Sequence, residues 1–158
     1  MKFEQYKSLK KQLLQKAVSN KQTDDKIQPA PLVLAYIGDA IFSLYIRNRL
    51  HLLEKNKVRV LGDISAQMVS AVMQAQVLDF LNESLTAEEA DIVRRGRNTK
   101  SVVPKSASIV EYRKSTGFEC LLGWLHWRGD ESRIKSLLCE AFAFLARRLL
   151  QEEKGDVS

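Results

Sequence analysis

Residues 32–46, LVLAYIGDAIFSLYI, form an almost wholly apolar stretch whose only charge is Asp39. Because Pro31 suits the first turn of a helix, the sequence predicts a long α-helix that runs to about Leu50 and is central and buried. A carboxylate buried without a partner is very costly, so Asp39 must be protonated, ion-paired, hydrogen-bonded or bound to a metal ion. Its helical face also holds Leu32, Ala35, Tyr36, Ser43 and Arg47.

Apolar residues recur at helical spacing along most of the chain, which predicts an all-α fold, a single helical bundle-like domain without a strand pair. Thr86 and Glu89 match a capping box, and Gly96 is placed to end the short helix that this box begins. Besides the helix that contains Asp39, helices are expected over residues 2–18, 87–95 and 107–127, and from about 134 to 150.

Residues 54–63 are predicted to form a loop before the next helix. Asp63 or Ser65 would cap that helix, since the side-chain oxygen of either residue can accept an unpaired backbone N–H. A single helix over residues 64–78 is then expected, with an apolar stripe along one face.

A second carboxylate, Glu119, lies in another apolar helical segment, STGFECLLGWLHW, residues 115–127. Its neighbours on the helical face are small or polar, so that face is expected to border a wet pocket. Gly38 and Gly123 each remove a side chain beside or one turn from a carboxylate, which lets two helices or a ligand approach closely. The residues that share the face of Glu119 are Tyr112, Ser115, Thr116, Gly123 and His126.

Two interpretations of these carboxylates stay open on the residues alone. In one, Asp39 pairs with Arg47 or another cation, and Glu119 belongs to a buried polar network. In the other, both side chains converge on a hard divalent cation such as Mg²⁺, which prefers oxygen ligands and keeps several waters. A metal held in this way can activate water and stabilise phosphoryl oxygens in phosphodiester hydrolysis.

Residues 94–105, RRGRNTKSVVPK, concentrate basic side chains without an acidic residue. Arginine suits bidentate phosphate contacts, and phosphate contacts dominate affinity for nucleic acids, so the segment is a candidate nucleic-acid-binding loop. A solvated charged loop is the alternative. With two cations that follow shortly after, the candidate binding residues are Arg94, Arg95, Arg97, Asn98, Lys100, Lys105, Arg113 and Lys114.

The composition adds limits on partners and compartment. A net charge of +6 is compatible with a polyanionic partner. The only cysteines, Cys120 and Cys139, form no disulfide framework and have no zinc-ligand spacing to either histidine. A low cysteine content without a disulfide framework is typical of proteins in a reducing cytosol, and an organelle stroma is the alternative compartment. No apolar run is long enough to span a membrane.

The two carboxylate segments resemble the motifs of ribonuclease III endonuclease domains. AYIGDAIFSLYIR resembles the segment whose Gly-Asp-Ala triplet carries a catalytic aspartate, and STGFECLLGWL resembles the later segment whose Phe-Glu pair carries a metal-binding glutamate. Between them, VRRGRNTKS, Pro104-Lys105 and YRKST resemble the Mini-ribonuclease III branch. The resemblance extends from about Leu32 to Trp127.

The pattern along the chain predicts one domain over residues 1–150 and a frayed tail over 151–158. The resemblance implies that this domain is catalytic, forms a homodimer and cleaves double-stranded RNA. It implies Mg²⁺ as cofactor, with Mn²⁺ as a substitute, and assigns Asp39 and Glu119 to catalysis and metal binding. Family members trim precursors of large-subunit ribosomal RNA. The implied substrate is therefore a 23S-type precursor, with a ribosomal protein as a candidate partner that presents it.

Three positions depart from the family pattern. Longer ribonuclease III enzymes carry a carboxylate four residues before the motif aspartate and another three residues before the motif glutamate, where this chain has Ala35 and Thr116. The Mini-ribonuclease III branch shares this sparser set, so the number of metal ions stays open. Val72 stands where a lysine is expected in that branch. If that lysine contacts RNA in relatives, this chain must do without it.

Two non-enzymatic interpretations compete with the nuclease. One is an inactive RNA-binding or ribosome-associated scaffold of the same fold, which the presence of both acids argues against. The other is a helical protein-interaction module whose acids are structural. The module predicts no salt-dependent affinity for RNA, whereas phosphate contacts predict an affinity that falls steeply with salt.

Overall fold

The computed structural model describes residues 2–19 and 27–155. Within those residues the chain forms seven α-helices, one 3-10 helix and no β-strand, which confirms the all-α prediction. None of the described helices is both long and apolar enough to cross a membrane. The elements are α1 (Lys2–Ser19), α2 (Pro31–Leu50), α3 (Val58–Met68), α4 (Ala71–Leu81), a 3-10 helix (Asn82–Ser84), α5 (Ala87–Arg97), α6 (Ile109–Trp127) and α7 (Glu131–Gly155).

Helix α6 is the centre of the domain, because α2, α4, α5 and α7 all pack on it. Its sequence is apolar nearly all round from Phe118 to Leu125, as expected for a helix surrounded by others. The rings of Phe42 on α2 and Phe118 on α6 meet edge to face, with centroids 5.2 Å apart, and both are fully buried.

Helices α2 and α6 run antiparallel and touch at two glycines. A Cβ atom placed on Gly38 would lie 1.7 Å from the carbonyl oxygen of Glu119, and one placed on Gly123 would lie 1.9 Å from that of Leu34. Each helix therefore presents a glycine to the backbone of the other, because any side chain would block the approach. The backbone of Glu119 is thus held against the residue that precedes Asp39.

The first half of α2 is less buried than its composition predicts. Leu34 and Gly38 are buried against α6, whereas Leu32, Val33 and Tyr36 are 40%, 49% and 81% exposed. Only one side of this half of α2 is covered by the described residues, so the expectation of burial all round is wrong.

Helix α1 forms where the sequence predicts it, but none of its residues is buried. Its apolar stripe faces solvent within the described residues, with Phe3 66% and Leu14 70% exposed. This helix therefore contributes nothing to the core that positions the carboxylates.

Helix α3 begins at Val58, so the predicted loop over 54–63 ends early and the predicted caps are wrong. Asp63 and Ser65 lie inside the helix. The Glu54 carboxylate accepts the backbone N–H groups two and three residues further on, and these bonds turn the chain before α3.

The predicted helix over residues 64–78 is two helices, α3 and α4. Ser70 separates them, because its hydroxyl accepts the backbone N–H of Met73 and so caps a new helix. The apolar stripe continues across the break, and for this reason periodicity did not reveal the break.

Helix α5 begins at the predicted capping box, in which Thr86 and Glu89 satisfy each other's backbone N–H groups. Gly96 does not end this helix, which continues to Arg97, so the first four residues of the predicted basic loop over residues 94–105 are helical. It is buried in the last turn, where an added Cβ would lie 3.0 Å from the Cα of Gly117 on α6. The glycine is there for close packing of two helices and not for a left-handed turn.

Helix α7 continues to Gly155, so the first five residues of the predicted tail over 151–158 are helical. The remaining three lie outside the described residues. The domain boundary at residue 150 stays a prediction.

We expect Gly123→Ala to lower the free energy of unfolding by about 1–3 kcal/mol, because the new methyl group would push α6 away from the Leu34 carbonyl. Gly62→Ala is the matched control. Gly62 lies inside α3 with nothing within 4 Å of an added Cβ, so alanine should stabilise the chain by up to about 1 kcal/mol. Urea unfolding measures both, and equal stabilities of the two variants would contradict the close crossing.

Candidate active site

Glu119 lies on α6 at the point where this helix crosses α2. Its side chain is partly buried, and its Oε1 accepts a hydrogen bond from Gln74 Nε2 at 3.0 Å. Gln74 lies on α4 and is only 2% exposed. Three helices therefore define this carboxylate, because the crossing with α2 fixes its backbone and a residue of α4 contacts its head group.

Asp39 is exposed, so the prediction that it is buried is wrong. It directly follows Gly38, which touches the backbone of Glu119, and its negative charge acts on the Glu119 carboxyl. Among the described residues, no ion pair joins Asp39 to Arg47, which instead lines a cavity beside Leu50. The structure therefore places the two carboxylates near each other at the crossing and leaves Asp39 open to solvent.

The pKa of the Glu119 carboxyl is raised from 4.5 to about 7, and burial is the largest cause. The hydrogen bond from Gln74 lowers this pKa and the nearby negative charge of Asp39 raises it, each by less than burial does. Both causes that raise the pKa disfavour the ionised form. A cation bound between the two carboxylates would offset both, so the pair is electrostatically suited to a positive charge.

The oxygen donors suit a hard divalent cation, since Mg²⁺ is commonly bound by one or two carboxylates and keeps several waters. The described residues contain no cluster of three or more His, Cys, Asp or Glu side chains that could hold a metal. Ala35 and Thr116, the positions where longer enzymes carry further carboxylates, are both buried. Ligands beyond Asp39 and Glu119 would therefore be water or substrate oxygens.

The small neighbours of Glu119 on α6, Ser115, Thr116 and Gly123, are buried and do not border a wet pocket, contrary to expectation. Ser115 and Thr116 are 3% and 4% exposed. Their hydroxyls donate to the carbonyl of Tyr112 at 2.8 Å and 3.0 Å, so both are satisfied within the helix. These residues are small because neighbouring helices pack closely against them.

The candidate nucleic-acid-binding residues form two groups. Arg94 and Arg95 both pair with Asp91, at 2.5 Å and 2.8 Å, and Lys114 pairs with Asp79 at 2.8 Å. The others are exposed and have no ion pair to a described residue, which leaves them available to an external anion. These are Arg97, Asn98, Lys100, Lys105 and Arg113.

A recess of about 110 Å³ forms where residues 99–103 fold back against the start of α6. Lys100 and Arg113 both line it, together with Tyr112. Tyr112 precedes Glu119 by two helical turns on the same face, roughly 10 Å along the axis. The recess therefore lies on the same face of α6 as Glu119, towards the N-terminus of this helix.

Gln74 is a site residue that the sequence pattern does not indicate. It is a polar residue inside the apolar segment 71–81, but Gln76 is another polar residue in the same segment, two residues later. Only the packing of α4 on α6 distinguishes them, since Gln74 contacts Glu119 whereas Gln76 accepts a hydrogen bond from Arg148.

Comparisons with known proteins place these features in a family. A model of the ribonuclease III domain matches residues 32–130. The Mini-ribonuclease 3 of Symbiobacterium thermophilum is 45% identical over 120 residues, which cover 74% of this chain and 91% of that protein. The Mini-ribonuclease 3 of a Thermoanaerobacter species is 44% identical over 110 residues, which cover 69% of this chain and 78% of that protein.

A crystal structure of a Fusobacterium nucleatum protein matches this fold with a TM-score of 0.68 and 26% sequence identity, and covers 77% of this chain and 98% of that one. The family model spans both carboxylates, the crossing of α2 and α6, and the basic loop. The chain therefore belongs to the ribonuclease III domain family of endoribonucleases, in the branch of Mini-ribonuclease 3.

Proposed function

We propose that this endoribonuclease cleaves double-stranded RNA in a Mg²⁺-dependent reaction, with Mn²⁺ as a substitute, and that Asp39 and Glu119 are its catalytic, metal-holding residues. The observation that carries the proposal is the contact of Gly38 with the backbone of Glu119, which places the next residue, Asp39, near enough for its charge to act on the Glu119 carboxyl. Relatives named Mini-ribonuclease 3 support it.

The two carboxylates would have different tasks. When bound, Mg²⁺ would supply an activated water and stabilise negative charge on the phosphoryl oxygens. Glu119 is partly buried and would hold the cation against the protein, whereas Asp39 is exposed and would face the side from which the phosphodiester arrives. Products would carry 5′-phosphate and 3′-hydroxyl ends.

The basic loop would hold the duplex beside the carboxylates. Exposed cations that form no ion pair with a described residue are suited to phosphate oxygens, and two of them, Lys100 of the loop and Arg113 of α6, line the recess. Arg94, Arg95 and Lys114 would contribute only where a phosphate competes with their carboxylate partners. Recognition would be mainly of shape, since side chains do not enter the deep major groove of A-form RNA.

A homodimer would place one carboxylate pair beside each strand of the RNA duplex. The exposed side of α2 supports this arrangement, because Val33, Tyr36 and Leu44 are 49%, 81% and 60% exposed beside Asp39. Contiguous exposed apolar residues of this kind are typical of protein–protein contacts. A second copy seated on this side of α2 would cover them.

The substrate that we propose is a precursor of large-subunit ribosomal RNA of the 23S type, matured in the cytoplasm, with a ribosomal protein as a candidate to present it. The support for this step is the resemblance of the motifs to the Mini-ribonuclease III branch, together with the exposed cations of the basic loop.

Asp39→Asn and Glu119→Gln should each lower the rate of duplex cleavage by at least about 100-fold at saturating Mg²⁺, because metal-held charge stabilisation contributes several kcal/mol. Binding of the duplex in Ca²⁺ should persist. Asp63→Asn, at an exposed carboxylate inside α3, is the control and should cleave normally. Near-normal cleavage by either site variant would refute the assignment. Binding without cleavage by the unmodified chain would favour the scaffold.

The free energy of unfolding of the metal-free chain should fall as pH rises from about 4.5 to about 7, because the Glu119 carboxyl ionises in the unfolded chain before it ionises in the folded one. Glu119→Gln should remove this dependence. At pH 8 the free energy of unfolding of the variant should exceed that of the unmodified chain by up to about 3 kcal/mol, and at pH 4 the two should be equal. Urea unfolding in EDTA measures the difference, and a difference independent of pH would contradict burial of the carboxylate.

The double variant Lys100→Ala/Arg113→Ala should weaken duplex binding in Ca²⁺ and reduce the slope of log affinity against log salt by about 2, one for each lost phosphate contact. Lys135→Ala/Lys154→Ala removes the same charge from exposed positions on α7 and is the control. An equal effect of both double variants would mean that only the net charge matters and that the basic loop is a solvated loop.

A further inference from the structure

We infer that Gln74 is a positioning residue that holds the Glu119 carboxylate in the orientation needed to bind the divalent cation, an inference that rests on the proposed function. Gln74 Nε2 donates to Glu119 Oε1 at 3.0 Å and to the backbone carbonyl of Val69 at 2.9 Å. No other described side chain donates a hydrogen bond to Glu119.

The two acceptors fix the orientation of the Gln74 amide. Its nitrogen carries two hydrogens, and each has its own acceptor oxygen. A flipped amide would set Oε1 against both acceptors and lose both bonds. The hydrogen bond to Glu119 therefore restrains one carboxylate oxygen and leaves Oε2, which has no partner among the described residues, to face a cation.

Gln74 is anchored on rigid elements. Its backbone lies in the first turn of α4, which Ser70 caps, and its second acceptor belongs to Val69, the C-cap residue of α3. On the opposite side, Gly38 fixes the backbone of Glu119. A ligand supported by packed helices is held more firmly than one supported by a loop, which is what a cation site with only two carboxylates needs.

The other end of the Gln74 amide indicates that this residue is not there for packing alone. Oε1 is buried and, among the described residues, has no hydrogen-bond partner. An unpartnered buried oxygen costs stability, and an apolar residue of similar size, such as methionine, would avoid that cost. An apolar residue cannot donate a hydrogen bond to Glu119, and this bond is the feature that only the amide supplies.

Gln76 provides a matched comparison on the same helix. It is partly buried, and its Oε1 accepts a hydrogen bond from Arg148 at 2.9 Å, away from both carboxylates. Gln76→Met removes a side-chain hydrogen bond from α4 just as Gln74→Met does, but it leaves Glu119 untouched.

The experiment compares Gln74→Met, Gln76→Met and the unmodified chain. Mn²⁺ binding to the RNA-free protein is followed by electron paramagnetic resonance, and cleavage of a duplex is followed over a range of Mg²⁺ concentrations. Mutation of a residue that hydrogen-bonds to a metal ligand typically lowers metal affinity about 10–100-fold. Gln74→Met should therefore raise the Mn²⁺ dissociation constant by about that factor. It should raise the Mg²⁺ concentration for half-maximal cleavage similarly, with an unchanged KM for RNA at saturating metal. Gln76→Met should change neither.

Each outcome separates this inference from the proposed function. If the unmodified chain binds Mn²⁺ and cleaves, but Gln74→Met binds Mn²⁺ as tightly, the inference is overturned and the proposed function stands. Unfolding of Gln74→Met beside a folded Gln76→Met would assign Gln74 to the fold and overturn the inference too. If the unmodified chain neither binds Mn²⁺ nor cleaves, the proposed function itself fails.

Discussion

The backbone contact between α2 and α6 is the constraint on which the rest of the structure depends. Two glycines, Gly38 and Gly123, remove the side chains that would keep these helices apart, and each faces a carbonyl of the other helix. The contact sets Asp39 beside Glu119 and brings Phe42 onto Phe118 in the core. The glycine contact therefore determines both the packing of the core and the geometry of the candidate site, so a change at the crossing would disturb both.

The two carboxylates have unequal surroundings, and this inequality suits the proposed binding of a cation. Glu119 is partly buried, its pKa is raised to about 7, and it accepts a hydrogen bond from a buried amide, whereas Asp39 is exposed to solvent. A partly desolvated carboxylate attracts a cation more strongly than an exposed one, because less water competes for the charge. In the proposed site, the exposed partner would leave room for a substrate as large as an RNA duplex. The hydrogen bond from Gln74 to Glu119 would keep this site ordered although it has few ligands.

Much of the fold could be predicted from local patterns, and the errors have physical reasons. Helical spacing located the helices, and the capping box at Thr86 and Glu89 marked a true start. Gly96 was misassigned because a glycine that ends a helix and one that admits a neighbouring helix look alike in sequence. The break at Ser70 was missed because the apolar stripe continues past it. Asp39 was expected to be buried because composition does not show which side of a helix is covered.

The sequence by itself determined the helical class, the two acid-bearing segments and the basic loop, because these follow from periodicity, capping and residue type along the chain. Their resemblance to family motifs also identified the family that the comparisons confirm. Only the tertiary structure decided which side of α2 is exposed, which of the basic side chains pair with a described carboxylate, and that Gln74 rather than Gln76 contacts Glu119. Those outcomes depend on contacts between helices far apart in the chain, and such contacts leave no local signal in the sequence.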